Sequence, residues 1–241
     1  MRHFAKGFLI GTLCICLLGL VWLLAFQPRL TAAEAQGLKA QFTTIPEDDL
    51  TEDGPAEKEE TQLDFEELQA RYPDVRGWLT ILGTCVDYPV LQSGAEDPEH
   101  YLRRNYDHQW RMAGSLFFQY DCTPDSRNLV VYGHNMNDGS MFAVLEKMAD
   151  PQFRQAHSTA VLQTAEGTHE YQITVAMTTD TMQLAFNRTQ FAGDEDFLSY
   201  AGSVLAETGY TAQAGDRLLT LVTCAYDWDG ARTVVVAIEQ E

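Results

Sequence analysis

Three side chains in this 241-residue sequence have the types and the setting for nucleophilic chemistry. Cys224 closes the apolar run TLVTC, Arg232 follows it eight positions later, and His134 sits in YGHN, ninety residues before the cysteine. A free thiol, with a pKa near ~8.5, becomes a useful nucleophile when a neighbouring cation stabilises its thiolate. Imidazole, near ~6.5, gives and takes protons at neutral pH. A guanidinium stays charged and can hold both a substrate carbonyl and the oxyanion that follows attack. Together the three suit acyl transfer through a thioester. Asp227 and Asp229, in the loop between Cys224 and Arg232, are the acids that could orient His134 as in a triad; otherwise they are solvated loop acids. Singly, each of the three also has an ordinary reading as a small core residue, a turn histidine and a surface ion pair. Only elements that bring them together make them a site.

The sequence supplies such elements. Short β-rich runs recur between turn signals at Gly77 to Leu82, Val86 to Val90, Ser115 to Gln119, Leu129 to Tyr132, Ala160 to Gln163, Tyr171 to Thr178, Arg217 to Thr223 and Thr233 to Ile238. His134 and Cys224 each follow or end one of these runs, and Arg232 opens another. Helical patterns interrupt them at Leu63 to Leu68, Pro98 to Arg104, Met141 to Met148 and Asp194 to Glu207, the last with its acids at the N-terminal end. Eight strands without strict strand-helix alternation predict a mainly β fold, a mostly antiparallel closed barrel with peripheral helices. Three chemically distinct groups at strand ends can then meet above one rim.

The N-terminal part reads differently. Residues 8–26 form nineteen positions without a charge or proline, enough at ~1.5 Å per residue to cross a ~30 Å hydrocarbon core. Arg2 and Lys6 precede the run, which predicts a cytoplasmic segment 1–7, a single membrane span 8–26 and everything beyond it extracellular. Ala33-Glu34-Ala35 offers the alternative of a cleaved signal peptide. Glu47 to Glu67 carries eleven acids against Lys58 alone, so 27–62 is expected to be an extended acidic stalk, leaving 63–241 as one catalytic domain. The net charge of −19 opposes binding to a phosphate backbone, so no nucleic-acid partner is expected. His100, His108, His157 and His169 lack ligand spacing with thiols or carboxylates, so neither a metal nor a cofactor is expected. Cys85 and Cys122 could pair only if the fold made them neighbours.

The segment TLVTC with its downstream Arg232, and YGHN before it, resembles the signature of sortases, the cysteine transpeptidases of Gram-positive cell surfaces. The likeness runs from about Leu63 to the C-terminus, and GWLTILGTCVDYPVLQ, YLRRNYD and AGSLFFQYD are similar to class B members in particular. Val222 stands at the TLxTC variable position, where class B members often have Ser, and the Cys-to-Arg spacing is short for some members. The resemblance implies an eight-stranded sortase barrel with an N-terminal helix and a helix in the long loop before the cysteine strand. It implies Cys224 as nucleophile, His134 as general acid and base, and Arg232 as the residue that holds substrate and oxyanion. Thr223 matches the threonine before the nucleophile, and Tyr132 is a candidate pocket wall or a buried strand aromatic. The implied partners are secreted proteins bearing a C-terminal sorting motif, and an amine acceptor such as a peptidoglycan precursor or a pilin lysine. Rival readings are a cysteine peptidase acting mainly by hydrolysis and a non-catalytic anchored binding module. A papain-like order, with Cys before His, is absent.

Overall fold

A computed structural model of the chain describes residues 12–20, 22, 27–44 and 62–240. Eight strands close into a barrel: β3 (Val75–Ile81), β4 (Asp87–Leu91), β5 (Leu116–Phe118), β6 (Asn128–Tyr132), β7 (Thr159–Thr164), β8 (Gly167–Thr179), β9 (Leu218–Cys224) and β10 (Arg232–Glu239). Around the barrel the order is β10-β8-β7-β3-β4-β5-β6-β9. Each strand coincides with one of the eight β-rich runs, within four residues at either end. All neighbours are antiparallel except β4 with β5 and β6 with β9. The core is the barrel interior, where Leu79, Val90, Leu116, Leu162, Leu221 and Val235 are fully buried.

Helices close the outside. In α2 (Phe65–Arg71) the Asp64 side chain caps the first turn by accepting from the Glu67 amide, and Phe65 and Leu68 turn inward. A short α3 (Pro151–Ala156) has no counterpart among the predicted helices. The 11-residue α4 (Asp194–Val204) begins with Asp194, Glu195 and Asp196, whose charge favours the helix N-terminus, and buries Phe197, Tyr200, Ala201 and Val204. It stops three residues before the predicted end at Glu207. The patterns at Pro98 to Arg104 and Met141 to Met148 are realised as 3-10 turns, His100–Arg103 and Ala143–Ala149.

Two N-terminal expectations are corrected. Over 27–62 the sequence predicts an extended stalk, yet α1 (Gln27–Phe42) is a 16-residue helix leading into β1 (Thr43–Thr44), which pairs with β2 (Gln62–Leu63). Thr31, Ala35, Leu38 and Phe42, spaced four, three and four apart, form a buried stripe against the barrel. Lys39 Nζ and Gln36 Nε2 donate to the Asp87 carboxylate at 2.7 and 3.1 Å, and Arg111 pairs with Glu34. The acidic run's charge masked this polar but amphipathic helix. Residues 45–61, where most of those acids lie, are outside the described residues.

The second correction concerns localisation. A single-pass anchor over 8–26, with the catalytic part extracellular, is expected from the apolar run, but among the described residues no helix is long and apolar enough to cross a membrane. Residues 12–20 are helical, and nine residues rise only about 14 Å, half of a ~30 Å core. Residues 1–11, 21 and 23–26, including the expected cytoplasmic segment, lie outside the described residues.

Candidate active site

Topology brings the sequence candidates to one rim. Because β6 and β9 run parallel, with Tyr132 opposite Val222, their C-terminal ends lie side by side. His134 therefore emerges next to Cys224 despite ninety intervening positions. The antiparallel β9-β10 pair then sets Arg232 directly opposite Cys224, on the same side of the two strands. All three are half-buried and line an open cleft of about 670 Å³. Tyr132, Thr223, Leu102 and Phe186 contribute to its walls.

The junction between His134 and Cys224 is stitched on both sides. The Gly133 amide donates to the Val222 carbonyl at 3.1 Å, and Thr223 Oγ1 donates to the Gly133 carbonyl at 2.7 Å. Beyond the histidine, Asn135 Nδ2 donates to the Cys224 carbonyl at 3.1 Å and to Glu146 Oε1 at 2.6 Å. So each neighbour of His134 in sequence is tied to the end of β9. The buried Thr223 is a brace between the two strands.

Electrostatics divide the residues by role. Burial pushes the His134 imidazole below its ordinary value; the charge of Arg103 adds to this, while a hydrogen bond with the Leu102 carbonyl works against it. That bond, from Nε2, is 2.8 Å long. Burial lifts the Tyr132 phenol to about 12, so at neutral pH it remains a hydrogen-bond donor, directed at Gln119 Oε1 at 2.9 Å, with its ring stacked on Phe117. Arg232 Nη1 donates to the carbonyl of its neighbour Ala231 at 2.8 Å. Arg232 lines the cleft, and the four N–H donors left on its planar fork suit an oxygen that gains charge.

Asp227 and Asp229 are exposed, and the partner that His134 Nε2 meets is a backbone carbonyl rather than either carboxylate. No sequence signal marks Leu102 or Asn135 as contacts of the site. One acts through its backbone from a turn thirty-two residues away, and the other reads as an ordinary turn asparagine. All five cysteines are free, with Cys85 exposed and Cys122 buried. Cys122 lines a separate cavity of about 420 Å³ at the other end of the barrel, beside Arg76, His169 and Arg217. Desolvation raises its thiol to about 12, so it is no thiolate at neutral pH. Among the described residues no group of three or more His, Cys, Asp or Glu could hold a metal ion.

Residues 79–240 match the Sortase domain. Sortase B of Listeria monocytogenes is 36% identical over 184 residues, covering 73% of this chain and 74% of the relative. Sortase B of Staphylococcus aureus is 30% identical over 188 residues, covering 75% and 76%. Among solved structures, Bacillus anthracis sortase B in complex with AAEK2 superposes with a TM-score of 0.71 at 29% identity, over 90% of this chain and 97% of that one. A Staphylococcus aureus sortase B-substrate complex gives 0.66 at 28% identity, over 73% and 84%. A thiol, an imidazole and a guanidinium at one barrel rim, a domain match over most of the chain and relatives that are class B enzymes lead to one conclusion: the chain belongs to the sortase family of cysteine transpeptidases.

Proposed function

We propose that this chain cleaves a C-terminal sorting motif after a Thr and joins the freed carboxyl end to an amine, with Cys224, His134 and Arg232 as the reacting set. The Cys224 thiolate attacks the Thr carbonyl carbon, and the oxygen that becomes negative is held by the Arg232 guanidinium. Protonated His134 gives its proton to the departing amine nitrogen as the C–N bond breaks, leaving a thioester on Cys224. An acceptor amine, from a peptidoglycan precursor or a pilin lysine, attacks that thioester. His134 takes its proton, the C–S bond breaks, and the thiolate and imidazolium are restored. The cycle balances without a redox partner or cofactor. Thr223 and Tyr132 serve as brace and cleft wall, and Asp227 and Asp229 remain candidate His134-orienting acids only through movement of their loop.

The observation that carries this reading is the register of β9, β10 and β6, which puts Cys224, Arg232 and His134 around one cleft. The test incubates the protein with a library of Thr-containing peptides and hydroxylamine, and identifies hydroxamates by mass spectrometry. Thr hydroxamates from one motif family are expected. Free acids alone would favour a hydrolysing peptidase, and no product of either kind a binding module.

A further inference from the structure

Backbone carbonyls carry no proton, so the 2.8 Å contact between Leu102 O and His134 Nε2 is a hydrogen bond only if Nε2 donates. That leaves Nδ1 as the nitrogen with a lone pair in the neutral ring. The Leu102 carbonyl has its own constraint. Gly114 adopts φ +57°, and a Cβ there would lie 2.3 Å from Leu102 O and 2.7 Å from Tyr101 O. Only glycine fits both the left-handed backbone and the approach. The surrounding segment is pinned, with the Ser115 amide donating to Tyr101 O at 3.0 Å and Arg111 N to Arg103 O at 2.9 Å.

We infer that the Leu102 carbonyl fixes His134 as the Nε2–H tautomer, that Nδ1 is the atom that carries the transferred proton, and that Gly114 is the positioning residue that keeps this carbonyl in place. The inference rests on the reading of His134 as proton carrier. In acylation Nδ1–H gives its proton to the leaving amine nitrogen; in thioester aminolysis the Nδ1 lone pair takes one from the attacking nitrogen, while Nε2–H stays on Leu102 throughout. The other charged or titratable groups around the cleft are Arg103 on the same turn as Leu102, Glu99 before it, Tyr120 and Tyr132, and Cys224 and Arg232 at the ends of β9 and β10.

The decisive experiment is a long-range proton–nitrogen NMR correlation on labelled resting protein above the titration of His134, the resonances assigned by their loss in His134→Gln. Protonated Nε2 and bare Nδ1 are expected; the reverse overturns the inference. Because no substrate is present, the expected tautomer without any turnover would count against the proposed function, whereas turnover with the reversed tautomer counts against this inference alone. Gly114→Ala gives the second readout. A folded variant should lose about a hundredfold in kcat, the cost of misplacing a reacting group by about 1 Å, with KM little changed. Its His134 should also titrate still lower, since the carbonyl no longer supports the charged ring. Unchanged kcat and titration in a folded Gly114→Ala would remove Gly114 from its role; if the variant does not fold, the wild-type tautomer decides.

Discussion

Replacing Arg232 by Lys keeps the positive charge but removes the planar fork, so charge and geometry can be separated. A point charge on a flexible stem lacks the fork that keeps one donor on the Ala231 carbonyl and leaves others for a substrate oxygen. Arg232→Lys should therefore lower kcat by about 10²–10³, the range for losing an oxyanion donor, as read in a fluorescent-peptide transfer assay. Near-wild-type turnover would mean that charge alone suffices. Asn135→Ala removes the tie between the Cys224 carbonyl and Glu146, and leaves a carboxylate without its 2.6 Å donor. Its kcat should fall by about tenfold or more while peptide KM stays the same, because the substrate cleft walls are untouched. The buried imidazole gives a pH prediction with a definite sign. His134 in the folded chain titrates below the ~6.5 of an unperturbed histidine. The unfolded chain therefore takes up a proton first, and folding stability is lost as pH falls from about 6.5 through the folded value. Urea unfolding at pH 7 and pH 5.5 should show this decline, and His134→Gln should flatten part of it.

The elements that carry the site depend on a few saturated polar residues. Asn128, fully buried at the start of β6, donates to Arg188 O at 2.8 Å and Tyr200 Oη at 2.8 Å, and accepts from Thr220 Oγ1 at 2.7 Å. One side chain thus holds β6, β9, α4 and the 180–217 connection, whose Phe186 and Asn187 wall the cleft. Asn128→Leu leaves buried carbonyl and hydroxyl groups unpaired, at about 1–3 kcal/mol each. It should lower Tm and raise peptide KM without changing the rim residues; an unaltered KM in a destabilised variant would detach this anchor from substrate binding. At the other face, Asp87 accepts from Lys39, Gln36, Trp78 and Thr80. Burial alone would raise its carboxyl, but donors from Lys39, Trp78 and Gln36 outweigh that and hold it low. The stability it adds is present above the usual ~3.9 and fades as pH falls through the folded value. Asp87→Ala should free α1, seen as faster tryptic cutting at Arg29 and Lys39 with the β10 end still protected.

The barrel was legible because each strand is a separate β-rich run bounded by its own turn, and the helices between them do not alternate strictly with the strands. The clustering of Cys224, His134 and Arg232 was legible because a thiol, an imidazole and a guanidinium at strand ends form a recognisable pattern, and the strand register brings them to one rim. What stayed hidden has physical causes. Helix α1 carries its buried stripe in Thr31, Ala35, Leu38 and Phe42, only two of them large and apolar, beside a run of acids, so composition outweighed periodicity. The apolar run at 8–26 fits a span by count, whereas the described helical residues within it are too short for one. Leu102 and Gly114 act through a carbonyl and a missing Cβ, neither of which a residue type announces. Taken together, the chain is a closed barrel whose parallel β6-β9 pair and β9-β10 hairpin assemble a thiol, an imidazole and a guanidinium at one rim. The most direct test of that account is intact-protein mass spectrometry after mixing with a cleavable Thr-containing peptide. The account predicts a thioacyl adduct on Cys224, raising the mass by that of the free-acid N-terminal fragment less one water, discharged by added amine and absent from Cys224→Ala. Amine transfer that persists in Cys224→Ala, or an adduct carried by another residue, would contradict it.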